Sequence, residues 1–246
     1  MTQGNVFQYP DTNSSRAEID NLNARFHGLK IAIIGIGGTG SYILDHVSKT
    51  SVAEIHLYDG DIFQIHNAFR APGAANKEDF GKEGLTMKTD YFYHQFSKMH
   101  IGIFSHPFNV TEENIDQLKI FDYVFISVDK TLVRQFISNA LIRFKIPFID
   151  CGMGVEICNE QLISTLRVST GSAEKNDHLP QRIGTGKVED NIYATNIQVS
   201  DLNCFNALLA VIKWKKMVGL YQDLKQEHNS LYFMNTNRIL NEDFPA

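Results

Sequence analysis

The stretch Ile31-Ala-Ile-Ile-Gly35-Ile-Gly37-Gly38-Thr-Gly40-Ser41 joins an apolar run to a glycine-rich turn, and residues 42–47 after it are predicted to be helical. Glycine at Gly35 permits a tight turn, Gly37 lets a phosphate approach the backbone, and Gly40 lets the helix pack against the strand. The free N–H groups at the start of such a helix attract anions. The stretch therefore predicts a strand, a turn and a helix that together bind a phosphate group.

An acidic residue follows the next apolar run at the spacing typical of nucleotide-binding folds. That run covers residues 53–58 and ends at Asp59, which lies 19 residues after Gly40. A carboxylate at the end of the second strand is placed to bind ribose hydroxyls. A glycine motif alone is weak support, and a purely structural glycine turn is the alternative. Because strands flank the turn and the acid is present, the pattern predicts a nucleotide-binding domain.

The composition limits the classes of function. The chain has 246 residues, of which 43% are hydrophobic and 21% are charged, as in ordinary globular proteins. A net charge of −5 argues against a nucleic-acid partner. No apolar run approaches the ~20 residues of a membrane span, so no membrane partner is expected. The first residues, Met1-Thr-Gln-Gly-Asn, lack the pattern of a secretion signal, and we expect a cytoplasmic location.

The cysteines and histidines do not form a metal-binding pattern. Cys151, Cys158 and Cys204 include no C-x-x-C pair, so no structural zinc is expected. The nine histidines include no H-E-x-x-H motif, and a catalytic metal held by histidines is not expected. An odd and sparse set of cysteines suits a reducing compartment better than a disulfide framework.

Apolar runs alternate with segments of helical spacing along most of the chain. The predicted strands cover residues 30–34, 54–58, 101–105, 121–127 and 147–149. The predicted helices cover residues 40–48, 84–99, 112–118 with Thr111 as the N-cap, 131–144 and 201–218. This alternation predicts an α/β fold, a Rossmann-like doubly wound and mainly parallel sheet. Residues 161–168 and 231–234 predict an antiparallel C-terminal extension, and residues 59–70 predict a loop.

Polar side chains follow the predicted strands, at the sheet edge where open α/β folds bind ligands. They are Asp59, Asp61, Asn67, Arg70, Lys88 and Asp129. Arginine and lysine stabilise charge on phosphates, and aspartate suits Mg²⁺. The set therefore predicts ATP chemistry. The alternatives are that the aspartates cap helices or lie in loops and that the two basic residues are surface charges.

Taken together, these motifs resemble the ThiF/MoeB/HesA family, the adenylation fold of ubiquitin-activating enzymes. They are Gly35-x-Gly37-Gly38-x-Gly40-Ser41, Asp59-x-Asp61, Asn67-x-x-Arg70, Lys88 and Val128-Asp129. The extra glycine and the Asn-x-x-Arg motif distinguish them from the pattern of dehydrogenases. The resemblance implies a single adenylation domain over residues 1–246. Its parts would be an N-terminal arm (1–24), which is loose or held by a partner subunit, a nucleotide-binding core (29–168), a crossover loop (169–199) and a C-terminal helix and strand (200–246).

The resemblance also implies the reaction. ATP with Mg²⁺ would adenylate the C-terminal glycine carboxylate of a ubiquitin-like or sulfur-carrier protein, giving an acyl-adenylate and pyrophosphate. By this resemblance, the glycine turn and Ser41 would contact the phosphates, and Asp59, with Asp61 beside it, would bind the ribose. Asn67, Arg70 and Lys88 would contact the triphosphate. Asp129 would hold Mg²⁺. A family arginine in the N-terminal arm reaches the partner's ATP site. Arg16 is the preferred candidate over Arg25, and a homodimer would then be required.

The positions of the cysteines leave the final acceptor of the acyl group open. The crossover loop contains no cysteine, and Cys204 is predicted to be a buried small residue. The chain is therefore expected to stop at the adenylate or to pass it to a thiol on another protein. The alternative functions are activation of a small-molecule or tRNA-base carboxylate, as in relatives that cyclise threonylcarbamoyl-adenosine, a non-catalytic binding subunit, and a dehydrogenase.

Overall fold

An eight-stranded sheet organises the computed structural model, which describes residues 5–80, 86–183 and 197–245. The strands are β1 (Lys30–Ile34), β2 (Glu54–Tyr58), β3 (Ile103–His106), β4 (Tyr123–Ile126), β5 (Phe148–Cys158), β6 (Gln161–Gly171), β7 (Asn229–Phe233) and β8 (Arg238–Glu242). Their order across the sheet is β3-β2-β1-β4-β5-β6-β7-β8. Pairing is parallel from β3 to β5 and antiparallel from β5 to β8. The predicted fold class is therefore confirmed.

Helices cover both faces of this sheet. They are α1 (Thr12–Arg16), α2 (Asp20–Asn23), α3 (Gly38–Val47), α4 (Ile65–Ala68), α5 (Lys88–Phe96), α6 (Thr131–Phe144), α7 (Leu179–Ile183) and α8 (Ser200–Met217). Short 3₁₀ turns cover Ala24–Phe26, Lys77–Phe80, Ile115–Ile120 and Met234–Thr236. Among the described residues, none of these helices combines the length and the apolar character that a membrane crossing requires.

The central strand β1 is apolar throughout because both of its faces are covered. Ile31 and Ile33 belong to one hydrophobic core, which includes Trp214 of α8. Ala32 and Ile34 belong to the other core, on the α6 side. Alternate residues of a strand point to opposite faces, so a strand between two helical layers needs no polar positions.

Several predicted elements have the predicted bounds. The strands over residues 30–34 and 54–58 and the helix over residues 131–144 are confirmed residue for residue. The strand predicted over residues 147–149 runs on to Cys158, and β8 was not predicted at all. Both lie in the antiparallel extension, where residues 154–158 and 238–242 are largely exposed. Exposed strand segments lack the continuous apolar pattern on which the strand predictions relied.

Other predictions were wrong in detail. Thr111 does not cap a helix over residues 112–118, because a 3₁₀ turn begins later, at Ile115. The backbone N–H of Thr111 instead donates to Oδ1 of Asn114 at 2.8 Å, and this bond closes a turn just before the 3₁₀ turn. The predicted loop over residues 59–70 contains α4. The helix predicted over residues 84–99 is α5, and residues 84 and 85 lie outside the described residues.

The N-terminal arm forms structure on its own chain and is not loose from residue 5 onward. Asp11 accepts hydrogen bonds from the backbone N–H groups of Asn13 and Ser14, which starts α1. Phe7 pairs with His100 beside β3. Of the predicted crossover loop, residues 169–183 contain the end of β6 and α7, and residues 184–196 lie outside the described residues.

Candidate active site

A cavity of about 710 Å³ lies at the carboxyl ends of β1, β2 and β4, where open α/β sheets bind ligands. Its volume falls within the ~300–1,000 Å³ range of small-molecule sites. Eight of the residues predicted from the sequence line it: Gly35, Gly37, Gly38, Asp59, Asp61, Arg70, Lys88 and Asp129. Parallel strands end at one edge of the sheet, so residues far apart in the chain meet there.

The glycine turn places backbone at the cavity wall. Gly35 has a φ of +88°, and an added Cβ would come within 2.8 Å of the Ser127 backbone oxygen. Gly40 packs so closely on Gly35 that an added Cβ would overlap the Gly35 oxygen. Gly37, in contrast, has no atom within 4 Å of an added Cβ. The turn is therefore tightly packed behind and open on the side of Gly37, which suits the approach of a phosphate.

The carboxylate of Asp59 holds the turn in place from the end of β2. Its Oδ2 accepts a hydrogen bond of 2.8 Å from the backbone N–H of Ile36, and its Oδ1 accepts one of 2.9 Å from the backbone N–H of Asp61. Asp59 is 8% exposed, so these bonds lie in a partly desolvated environment. Such a carboxylate retains lone pairs for a further donor, such as a ribose hydroxyl.

Lys88 brings a positive charge to the same wall. It is the first residue of α5, and its Nζ lies 2.6 Å from Oδ2 of Asp61 and 3.6 Å from Oδ1 of Asp59. Its side chain is about one-tenth exposed, whereas that of Asp61 is 70% exposed. The lysine head is thus fixed between two carboxylates at the cavity surface, close to where the glycine turn begins.

Arg70 lines the cavity from the segment after α4. It is half-buried, and its Nε has no hydrogen-bond partner among the described residues. Its backbone N–H donates to the Asn67 oxygen at 3.1 Å, so the preceding short helix sets its position. A buried donor without a partner is costly, which indicates that this guanidinium is placed for a ligand.

Four predicted residues lie outside the cavity lining. Ser41 is fully buried, and its Oγ donates to the Gly38 oxygen within α3. Gly40 contacts the turn from behind. Asn67 lies within α4, where its Oδ1 accepts from the backbone N–H of the N-cap residue Gln64 at 2.8 Å, while its buried Nδ2 has no partner among the described residues. Arg16 is exposed on α1. Ser41 and Gly40 are therefore committed to local packing, Asn67 is committed through its Oδ1, and Arg16 is not brought to the cavity of its own chain.

A buried charge cluster that the sequence analysis did not single out borders the cavity. Asp150 is fully buried at the start of β5, between the guanidinium groups of Arg134 and Arg167. Arg134 also donates to the backbone oxygens of Val128 and Cys151. It therefore ties the segment that carries Asp129 to β5. An aspartate directly after the apolar run 147–149 was the available signal in the sequence.

Three amide side chains were also not predicted. Asn109 accepts a hydrogen bond of 3.2 Å from the Gly60 N–H, and Asn203 and Asn206 of α8 are each 1% exposed. All three line the cavity. The available signal for the two in α8 was a pair of asparagines three residues apart in the otherwise apolar stretch 202–212 of that helix.

The cysteines do not form a reactive centre in the described residues. Cys151 lines the cavity, but burial raises the pKa of its thiol to about 12, so it is protonated at neutral pH. Cys204 is half-buried, not fully buried as predicted, and it lies outside the cavity lining; its partial burial raises the pKa of its thiol. Cys158 is exposed at the end of β5, also outside that lining.

The described part of the chain offers carboxylates in the cavity wall but no larger cluster of metal ligands. Within residues 5–80, 86–183 and 197–245, no group of three or more His, Cys, Asp or Glu side chains is placed to hold a metal ion. An Mg²⁺ that accompanies a nucleotide takes only one or two carboxylates, with phosphate oxygens and water as its other ligands. Asp129, in the wall after β4, has the chemistry for that limited role.

Solved structures with this fold show what the chain is similar to. Escherichia coli MccB crystallised with ATP is 17% identical with a TM-score of 0.71, and the match covers 97% of this chain and 73% of that one. PaaA is 14% identical with a TM-score of 0.70, covering 97% and 76%. E. coli TcdA, a tRNA N6-threonylcarbamoyladenosine dehydratase, is 18% identical with a TM-score of 0.62, covering 84% and 92%. At these identities the likeness shows the fold alone.

The sequence itself gives the family. A search of curated proteins finds no significant match. The family model described as the ThiF family matches residues 16–237, a segment that contains the parallel strands β1 to β5, the glycine turn and α8. Because that match spans most of the chain, this protein belongs to the ThiF family.

Proposed function

We propose that this protein uses ATP to adenylate the C-terminal glycine carboxylate of a ubiquitin-like or sulfur-carrier protein, giving an acyl-adenylate and pyrophosphate. Membership of the ThiF family supports ATP-dependent adenylation of a carboxylate. The observation that carries the proposal is the meeting of an open glycine turn, the carboxylate of Asp59 and the cations Lys88 and Arg70 in one cavity. Those are the groups that a nucleoside triphosphate requires.

Each group has a role that its position supports. The N–H groups of the turn and the start of α3 would bind phosphate oxygens, and Asp59 would accept from the ribose. Lys88 and Arg70 would stabilise the charge that develops as the bond between the α- and β-phosphates breaks. The attacking carboxylate is already ionised at neutral pH, so the reaction needs positioning and charge stabilisation rather than a general base.

Of the remaining predicted residues, Asp129 and Arg16 keep the roles predicted from the sequence, whereas Ser41 and Asn67 take different ones. Asp129 would supply the protein carboxylate to Mg²⁺, whose contribution is to neutralise phosphate charge. Ser41 and Asn67 would act by shaping the turn and α4, because their side chains bond within those elements. Arg16 would act on the ATP site of a second subunit in a homodimer, since it is exposed and does not line the cavity of its own chain.

A protein tail is the first choice of substrate. MccB has been crystallised with AMPCPP and MccA together, which supports a binding site for a second molecule along with the nucleotide on this fold. The relative TcdA favours the second candidate, activation of a tRNA-base carboxylate, and a small-molecule carboxylate stands beside it. The net charge of −5 weakens the tRNA version, because nucleic-acid affinity depends on basic contacts to phosphate.

The test is ATP–pyrophosphate exchange with the purified protein, Mg²⁺ and candidate ubiquitin-like proteins. Exchange that requires the partner's terminal glycine would establish the reaction and identify the substrate together. ATP binding without exchange from any protein would favour a small-molecule or tRNA-base carboxylate. If ATP does not bind at all, the protein is not an adenylating enzyme and a binding role replaces this proposal.

A further inference from the structure

Two asparagines of α8 face the cavity without complete hydrogen bonding. Asn203 and Asn206 are three residues apart, and so they lie on the same face of the helix. Both line the cavity, and each is only 1% exposed. Asparagines are mostly found at protein surfaces, so two of them on one buried helical face require an explanation.

Each asparagine is held in place by one of its two amide atoms. Thr39 Oγ1 donates to Oδ1 of Asn203 at 3.1 Å, and Nδ2 of Asn206 donates to the Gly152 oxygen at 3.1 Å. Asn203 also packs against the glycine turn, since an added Cβ at Gly38 would overlap its amide group. The pair therefore spans the space between the glycine turn and β5.

The other amide atom of each residue has no partner among the described residues. These atoms are Nδ2 of Asn203, a donor, and Oδ1 of Asn206, an acceptor. Oε1 of Gln198, which also lines the cavity, is a second acceptor without a partner in the described part of the chain. Buried polar groups are almost always hydrogen-bonded, so one donor and two acceptors left together in a cavity point to a ligand.

A peptide group has the complementary pair of atoms. Its carbonyl oxygen accepts one hydrogen bond and its N–H donates one. We infer that Asn203 and Asn206, with Gln198, form a subsite for the peptide group that precedes the carboxylate to be adenylated. This inference rests on the proposed adenylation and deepens it: Asn203 donates to the carbonyl of the substrate, and Asn206 or Gln198 accepts from its N–H.

A peptide tail is the occupant that the charge of the protein favours. An N-acylated amino acid attached to an RNA base would present the same C=O and N–H groups next to a carboxylate. The net charge of −5 opposes a polyanion, which would need lysine and arginine contacts along its backbone. A peptide requires no such contacts, and its amide groups match the neutral amides of the subsite.

The experiment uses a pool of N-acetylated tripeptides with free C-terminal carboxylates in the ATP–pyrophosphate exchange assay. A second pool has the last peptide bond replaced by an ester, which removes the N–H and keeps the carbonyl. We expect exchange with the peptide pool and at least about tenfold less with the ester pool, because a site built to hydrogen-bond a group rejects analogues without it. Equal exchange with both pools would overturn the acceptor role of Asn206 and Gln198.

The variants Asn203→Ala and Asn206→Ala test the two residues separately. Each should reduce exchange with the peptide pool at least about tenfold, and Asn206→Ala should also lose the preference for the peptide over the ester. A residue with a purely structural role would not change that preference. Asn241→Ala is the control, because Asn241 is exposed on β8. Thermal unfolding of each variant shows whether it folds.

Binding of a fluorescent ATP analogue separates this inference from the proposed function. If the analogue does not bind, the adenylation proposal fails and this subsite fails with it. If the analogue binds but the peptide pool gives no exchange, the subsite for a peptide group is wrong while the nucleotide site stands. Exchange driven only by carboxylates without a peptide group, or only by a tRNA with an N-acylated amino acid, would also overturn the peptide subsite.

Discussion

The Cα atom of Gly40 lies so close to the backbone oxygen of Gly35 that a methyl group at Gly40 would overlap it. This contact sets α3 directly against the turn that precedes it. At Gly37, in the same turn, an added methyl group would meet no atom within 4 Å, and φ is −80°. The two glycines are therefore needed for different reasons, Gly40 for packing and Gly37 for the approach of a ligand.

We predict that Gly40→Ala and Gly37→Ala have opposite effects. Gly40→Ala should lower the free energy of unfolding by roughly 1–3 kcal/mol, the usual cost of overpacking. Gly37→Ala should leave that free energy nearly unchanged but weaken ATP binding, because its methyl group occupies the space of a phosphate. Urea denaturation and ATP titration measure the two effects. Normal ATP affinity in Gly37→Ala would show that phosphate does not approach this side of the turn.

Arg70→Ala should slow ATP–pyrophosphate exchange by about 10²-fold or more if the guanidinium stabilises the transferring phosphate charge. The side chain lines the cavity, and its Nε lacks a partner among the described residues, so its removal should not destabilise the fold. Arg143→Ala, which removes an exposed arginine at the end of α6, is the control. A loss of less than about threefold in Arg70→Ala would indicate a surface role.

Asp129→Ala should abolish exchange while the protein stays folded. Asp129 is exposed in the cavity wall after β4, so its removal leaves the core intact, whereas Mg²⁺ would lose its protein carboxylate. Exchange and thermal unfolding are measured on the same preparation. Asp116→Ala is the matched control, because it removes an exposed aspartate that pairs with Lys119 away from the cavity lining. Exchange that persists in Asp129→Ala would remove the Mg²⁺ assignment.

Asp150→Ala should destabilise the fold by about 3–5 kcal/mol, because it leaves two largely buried arginines without their carboxylate. The comparison is Lys49→Ala, which breaks an exposed pair with Asp45 on α3 and should cost only about 0.3–0.5 kcal/mol. Urea denaturation measures both variants. A loss below about 1 kcal/mol in Asp150→Ala would mean that the arginines find other partners.

Stability should fall as the pH is lowered from 7 towards 4. Burial, followed by the neighbouring His56, lowers the pKa of His106 from 6.5 to about 4. The unfolded chain protonates this histidine more readily than the folded chain does. The contribution of neutral His106 to stability is therefore complete above about pH 6.5 and is lost as the pH falls from there through the folded-state pKa. The slope of unfolding free energy against pH should shrink in His106→Phe and stay unchanged in the exposed control His94→Gln. Equal slopes in all three proteins would contradict this assignment.

The parallel half of the fold was predictable because its signals are local. The buried strands β1 and β2 and the helix α6 follow from runs of adjacent apolar residues and from helical spacing. The glycine turn and Asp59 follow from fixed spacing around those strands. Exposed strands carry no such signal, which is why the second half of β5 and the whole of β8 escaped prediction.

The sequence by itself determined the family, the glycine turn and the cavity residues at the ends of β2 and β4, because short-range geometry fixes side chains next to a strand end. Only the tertiary structure decided which distant groups join them. Arg134, Asp150 and Arg167 form one charge cluster, and Asn203 reaches Gly38 across 165 residues, because α8 folds back against α3. No local pattern reports such a meeting, since it depends on how whole helices pack on the sheet.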